Sequence, residues 1–183
     1  MKEKSKNDRH FFAVKNACRK IGPSSSQYKL RELTDEDIPV LQTLFRETVL
    51  HVNARDYTRE EVEDWASCGD SVEHMKDLLA RNDYVAALNE QGEIIGFSSM
   101  NAEGYLHSLF VHKDYQQVGV GSLLLSAVEK RAWEYGVSEI TSEVSLTARP
   151  FFEKRGYEVV KDQKRRANRL ELTNFVMRKR LKD

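Results

Sequence analysis

Two glycines at alternate positions stand in the run Gln116-Gln117-Val118-Gly119-Val120-Gly121-Ser122, directly before a strongly patterned apolar segment. Glycine lets a backbone approach a ligand closely, and residues Val118 to Ser122 present free N–H groups at a helix start. The helix dipole adds to them, so this spacing offers capture of a phosphate or pyrophosphate. No Lys-Ser/Thr pair follows the last glycine, which excludes a P-loop, and the third glycine of the dinucleotide fingerprint is missing. A glycine-spaced turn also serves mere packing, and taken alone it leaves both readings open. Cys18 and Cys68 form no CxxC pair and have no metal-spaced histidine beside them. They read as reduced thiols, with no metal site expected.

The elements that must position this loop follow from periodicity. Residues 28–33 alternate as a strand, and Thr34-Asp35-Glu36-Asp37 starts a helix with Ile38, Leu41, Leu44, Phe45 and Thr48 on one face. A second helix follows Tyr57-Thr58, and a third spans roughly Ser71 to Ala80. Tyr84 to Leu88 and Glu93 to Met100 read as a hairpin, and Tyr105 to His112 as the next strand. Val120, Leu123, Leu124, Ala127 and Val128 recur at helical spacing up to Gly136. A strand to Ser145, a short helix from Ala148 to Arg155, and strands at 157–161 and 169–178 complete the order. That order predicts an α+β fold with a mixed, mostly antiparallel central sheet flanked by helices.

The 183 residues suffice for one core, and 40% hydrophobic with 32% charged residues is a globular composition. Gly22-Pro23-Ser24-Ser25-Ser26 sets off residues 1–27 as a basic extension and linker, leaving 28–183 as the domain. The first ten residues carry no apolar leader, and the longest uncharged stretch, 14 residues from Tyr115 to Val128, is too short to cross a bilayer. A cytoplasmic location and no membrane partner are expected. Net charge is zero, but residues 29–100 carry seven basic against sixteen acidic side chains, and residues 161–183 nine against three. The acidic middle suits a cationic partner and the basic ends suit phosphate, unless both are simply solvated faces. The ends lack the aromatic interleaving of nucleic-acid binders, so no such partner is expected.

The run Leu109-Phe110-Val111-His112-Lys113-Asp114-Tyr115-Gln116-Gln117-Val118-Gly119-Val120-Gly121 resembles the signature of the GNAT N-acetyltransferase superfamily. Ala148-Arg149-Pro150-Phe151-Phe152-Glu153-Lys154-Arg155-Gly156-Tyr157 is similar to that family's second motif. The resemblance spans roughly Tyr28 to Leu181. Through Val52-Asn53-Ala54-Arg55-Asp56-Tyr57 and Leu172-Thr173-Asn174-Phe175 it lies nearest the bacterial YafP-like branch. It implies acetyl transfer from acetyl-CoA, without a metal, to an amine, expected to be small and cationic. The alternative is an acetyl-CoA sensor or inactive relative without turnover. A homodimer, common in the superfamily, is left open.

The resemblance also implies where the groups sit. The pyrophosphate would lie on the N–H groups of Val118, Gly119, Gly121 and Ser122, with Gln116 and Gln117 at the entrance and Val120 within the loop. The pantetheine arm would run along Phe110 and Val111, with the N–H near Val111 polarising the thioester carbonyl. Ser145 stands where family members often carry Asn, and Phe152 where many carry a Tyr that protonates the leaving thiolate. Phe152 cannot donate, which leaves Tyr157, Tyr105 or solvent. An alkyl amine is protonated at neutral pH, so direct attack needs a base. His107 is the first candidate, unless it is a packed strand histidine, and Glu143 is the second. In a regular strand His107 shares a side with Tyr105, Leu109 and Val111. The acceptor would lie near Asn53, Asp56, Tyr57 and Tyr105, with His51 and Trp65 close by.

Overall fold

The computed structural model of this protein describes residues 27–181. Of the expected basic extension only Gln27 is among them, and Cys18 lies outside them. A short strand β1 (Lys29–Glu32) leads into three helices, α1 (Ile38–His51), α2 (Arg59–Ala66) and α3 (Val72–Arg81). Strands β2 (Asp83–Leu88), β3 (Ile94–Met100) and β4 (Tyr105–Val111) follow as a meander, then helix α4 (Val120–Tyr135). Strand β5 (Glu139–Ser145), helix α5 (Arg149–Lys154) and strands β6 (Glu158–Arg166) and β7 (Glu171–Arg180) close the chain. The seven strands make one sheet in the order β1-β2-β3-β4-β5-β7-β6. Every pairing is antiparallel except β4 with β5.

Local sequence explains the helix boundaries. Thr58 caps α2, its hydroxyl accepting from the Glu61 N–H while the Glu61 carboxylate accepts from the Thr58 N–H. Gly136, at φ 71°, ends α4 in the left-handed conformation that glycine adopts freely. Val120, Leu124, Leu125, Val128 and Ala132 of α4 are buried at the spacing of one helix face. At Gly96 a Cβ would meet Leu124, Val120 and the Phe110 carbonyl at 3.0–3.1 Å, so any larger residue would have to push α4 back by a few tenths of an ångström.

Helices α1 and α3 pack on one face of the sheet through Ile38, Leu41, Leu44, Met75, Tyr84 and Phe97. Helix α4 covers the other, packing with α5 over Met100, Leu106, Ile140, Val144 and Phe152. Two expectations need correction. The strand expected at 157–161 runs on through the polar stretch to Arg166, because β6 is an exposed edge strand whose residues through Arg166 pair with β7. And β4 is not regular. Its register with β3 passes from Ser99↔Ser108 to Met100↔Leu106, which makes His107 the extra residue of a bulge. Leu109 and Val111 therefore face the α4 side with Leu106, while Phe110 packs toward α1. His107 does not share their side.

Candidate active site

Strands β4 and β5 are paired only at Tyr105↔Thr141 and Leu106↔Ser142, and beyond that they diverge. The His112 N–H donates to the Ile95 carbonyl at 2.9 Å, in the same register as Gly96↔Val111 and Ser98↔Leu109. Bonded and unbonded pairs alternate in an antiparallel ladder, so Leu109 and Val111 turn their backbone N–H and C=O groups away from β3 and into the gap. Two cavities meet there. A loop-side cavity of about 670 Å³ runs from the start of α4 into the gap. A hairpin-side cavity of about 570 Å³ lies between the helices and the β6–β7 hairpin. Trp65, His107, Ser108, Phe110, Glu143 and Ser145 line both.

One wall of the loop-side cavity is the loop before α4. Gln117 at φ 61° and Gly119 at φ 99° take left-handed conformations, and the first turn of α4 is closed by the Leu123 N–H on the Gly119 carbonyl. Among the described residues, the N–H groups of Val118 to Ser122 have no protein acceptor. A Cβ on Gly119 would meet nothing within 4 Å. Exposed Val118 and fully buried Val120, both expected here, do not line this cavity. The Gln116 amide locks the loop to the strand end, donating to the Val111 carbonyl at 2.6 Å, which also accepts from the Thr48 hydroxyl at 3.0 Å. Ser122 accepts a hydrogen bond from Arg155. This open strand edge beside a ring of donors fits an extended, pyrophosphate-bearing ligand.

At the junction His107 Nδ1 lies 2.9 Å from the Ser108 hydroxyl. His107 is exposed to solvent, yet the protein packed around it lowers the imidazole from its ordinary value by desolvation, His74 adds to that, and Glu143 opposes it. A ring held neutral can accept a proton. Glu143 is engaged by Arg165 at 3.2 Å. Tyr105 lines the hairpin-side cavity with its ring centroid 6.1 Å from that of His107, and burial raises its phenol, keeping it protonated.

Several residues expected in the site stand elsewhere. Tyr157 lines neither cavity: it is buried in the α4-side core against Phe152, its hydroxyl without a hydrogen-bond partner among the described residues and its phenol pushed upward by burial. Asp56 also lines neither, because its carboxylate is turned to Arg55 and Thr147. His51 pairs with Glu47 on the helix exterior. Asn53 lines the loop-side cavity only, with Nδ2 3.5 Å from the Ser145 hydroxyl, itself an acceptor from the Ala148 N–H at 3.1 Å. Tyr57 does line the hairpin-side cavity, but its hydroxyl donates to the Thr173 carbonyl and accepts from the Leu146 N–H. Phe152 is buried at the edge of the loop-side cavity.

Sequence reasoning missed four contributors. Ser108 touches His107, and Arg165 and Arg166 line the hairpin-side cavity. Asp64, 2% exposed, accepts the N–H groups of Asn168, Arg169 and Leu170 and the Arg169 guanidinium, fastening the hairpin tip to α2. These hydrogen bonds, that from Leu170 foremost, hold its carboxyl down at about 2 against the opposing effect of burial. No sequence signal marks Asp64 among its acidic neighbours Glu60, Glu61 and Glu63.

Residues 53–180 match a family model described as an acetyltransferase (GNAT) domain. The chain is 33% identical over 151 residues to YafP of Escherichia coli, called an uncharacterized N-acetyltransferase, covering 82% of this chain and 94% of that one. A GCN5-related N-acetyltransferase from Rhodopseudomonas palustris superposes with a TM-score of 0.83 at 32% identity, over 87% of this chain and 99% of the other. The PaiA N-acetyltransferase of Thermoplasma acidophilum, solved with coenzyme A, shares the fold at a TM-score of 0.70 and 22% identity, over 84% and 99% of the two chains.

Proposed function

Because the chain belongs to the GNAT acetyltransferase family, we propose that it moves the acetyl group of acetyl-CoA to the nitrogen of an amine by direct attack. The observation that carries this is the open edge of β4, where Leu109 and Val111 face the gap next to the unpaired N–H groups that begin α4. The N–H groups of Val118, Gly119, Gly121 and Ser122 would hold the pyrophosphate, and the strand edge would hold the pantetheine amides like an added strand. Bound acetyl-CoA supplies the thioester. The Val111 N–H, turned into the gap, is the donor suited to polarise its carbonyl.

The amine enters from the hairpin side. His107, reachable from both cavities and held toward its neutral form, takes the proton of the attacking nitrogen. Ser108 fixes the ring through Nδ1, which leaves Nε2 for the substrate. Tyr105, on the cavity wall beside His107, keeps a proton available for the departing thiolate. The test is calorimetric titration with acetyl-CoA and with CoA, followed by thiol release on a panel of amines. Micromolar or tighter binding, about −8 kcal/mol, together with released thiol supports the reading. No binding at millimolar acetyl-CoA overturns it, and binding without turnover on any amine would make the protein an acetyl-CoA sensor.

A further inference from the structure

Rings wall the hairpin-side cavity, and its charges cancel. Phe45 from α1, Trp65 from α2 and Phe110 from β4 all line it. Their planes stand steeply to one another, at 81° between Phe45 and Phe110, 74° between Phe45 and Trp65, and 64° between Trp65 and Phe110. With centroids 4.9–6.5 Å apart, the three rings form a corner. Buried Phe97 backs it, 5.5 Å from Phe110. Each ring of the corner is only half-buried, so aromatic surface stays open to the cavity. Trp65 and Phe110 also line the loop-side cavity, as His107 does, which puts the corner at the junction. Among the described residues that line the hairpin-side cavity, Glu143 is the one carboxylate, and Arg165 engages it at 3.2 Å. Arg166 stands opposite Glu171 in the hairpin register, one residue on from Arg165, so its side chain turns to the other face of the sheet.

Resting on the reading of this cavity as the acceptor's place, we propose that the acceptor is a monoamine whose nitrogen is joined by a short chain to an uncharged aromatic ring, and that Phe45, Trp65 and Phe110 hold that ring. Walls set steeply to one another offer an inserted ring edge-to-face contact on more than one side. A saturated ring buries similar area but lacks the quadrupole that makes such contacts favourable. The corner and His107 share the junction, so a short tether brings the nitrogen to the imidazole that takes its proton. A second ammonium on the acceptor would find no carboxylate here free of Arg165, and its desolvation would stay uncompensated. The expectation of a small cationic acceptor thus narrows to a single charge, since the carboxylates of the acidic middle segment lie outside this cavity.

The test needs no turnover. 2-Phenylethylamine, 2-cyclohexylethylamine and 1,4-diaminobutane are titrated calorimetrically into the protein, with and without saturating CoA, which carries no acetyl group to transfer. Phenylethylamine should bind about threefold to tenfold more tightly than its saturated counterpart. Diaminobutane should bind about tenfold or more weakly than phenylethylamine. F45L and W65L should each shrink the phenyl preference to about twofold or less. Phe45 lines the hairpin-side cavity alone, so F45L should keep the wild-type affinity for CoA. Thermal unfolding checks that both variants fold, and the ranking of ligands on the wild-type protein stands without them. Equal binding of the two ring amines, tighter binding of diaminobutane, no binding of any of the three, or a preference that survives in both variants would each overturn the proposal. Failure of the acetyl-transfer reading appears separately, as absent acetyl-CoA binding or absent thiol release on every amine.

Discussion

The two cavities that meet at His107 are built from different material. The loop-side one has a wall of backbone within Leu109 to Ser122, made of helix-start N–H groups, two left-handed residues and an unpaired strand edge. The hairpin-side one is side chains from α1, α2, α3, β2, β3, β4, β5, β6 and β7, assembled only when the hairpin tip docks on α2. A backbone site is indifferent to most substitutions and tells little about its owner, whereas a side-chain site can change its ligand by single replacements. The lesson is a division of labour, with the shared chemistry fixed by conformation and the specificity left to a removable roof.

The sharpest way to break this contrast is to put bulk into the loop. Replacing Gly119 or Gly121 by Trp should abolish measurable acetyl-CoA binding, read by calorimetry. A Cβ at 121 meets only Phe151 and Val111, at 3.6–3.7 Å, so the protein itself accepts a small side chain there. Gly121→Ala should therefore fold normally, and any affinity lost in Gly121→Trp belongs to the ligand's space. Unchanged affinity in both Trp variants would remove the loop assignment.

Next in size is the junction. H107Q should lower kcat by about 10²–10⁴ and leave acetyl-CoA affinity intact. Folding lowers the His107 pKa, so the neutral base is present above a value under the usual 6.5, and wild-type rate should rise with pH through that lower value. H107Q should lose that limb. A near-normal rate with an unchanged pH profile would return His107 to a structural role, and its place in a bulge would then need another explanation.

What the sequence made legible follows the same division. Gly119 and Gly121, together with the apolar spacing of α4, announce a loop whose conformation is local, and the structure has that loop where their spacing predicts it. The order of strands and helices was readable for the same reason, since burial on one face leaves a period. The bulge at His107 was not, because a register shift belongs to a pair of strands and no single strand encodes it. Arg165 and Arg166 fall in a charged run that reads as solvated tail, since an edge strand exposed on both sides has no hydrophobic alternation. Asp56 and Tyr157 failed the other way: suitable in type and near in sequence, they face Arg55 and the core respectively.

The smallest expected effect is also the most discriminating, because it acts on one cavity from outside both. Asp64 touches no cavity, yet its carboxylate holds Asn168, Arg169 and Leu170 and with them the roof that carries Arg165. An Asn at this position presents an N–H₂ group to donors that need acceptors. D64N should therefore raise the acceptor's KM about threefold or more while leaving the acetyl-CoA Kd unchanged. Folding depresses the Asp64 pKa to about 2, below the usual value of 3.8. Its stabilisation is complete above the unfolded value and is lost as pH falls toward 2. Wild type should lose thermal stability between pH 4 and 2 more steeply than D64N, which has no such group to protonate. Parallel curves, or an equal rise in KM for both substrates, would mean that the hairpin does not roof one cavity alone.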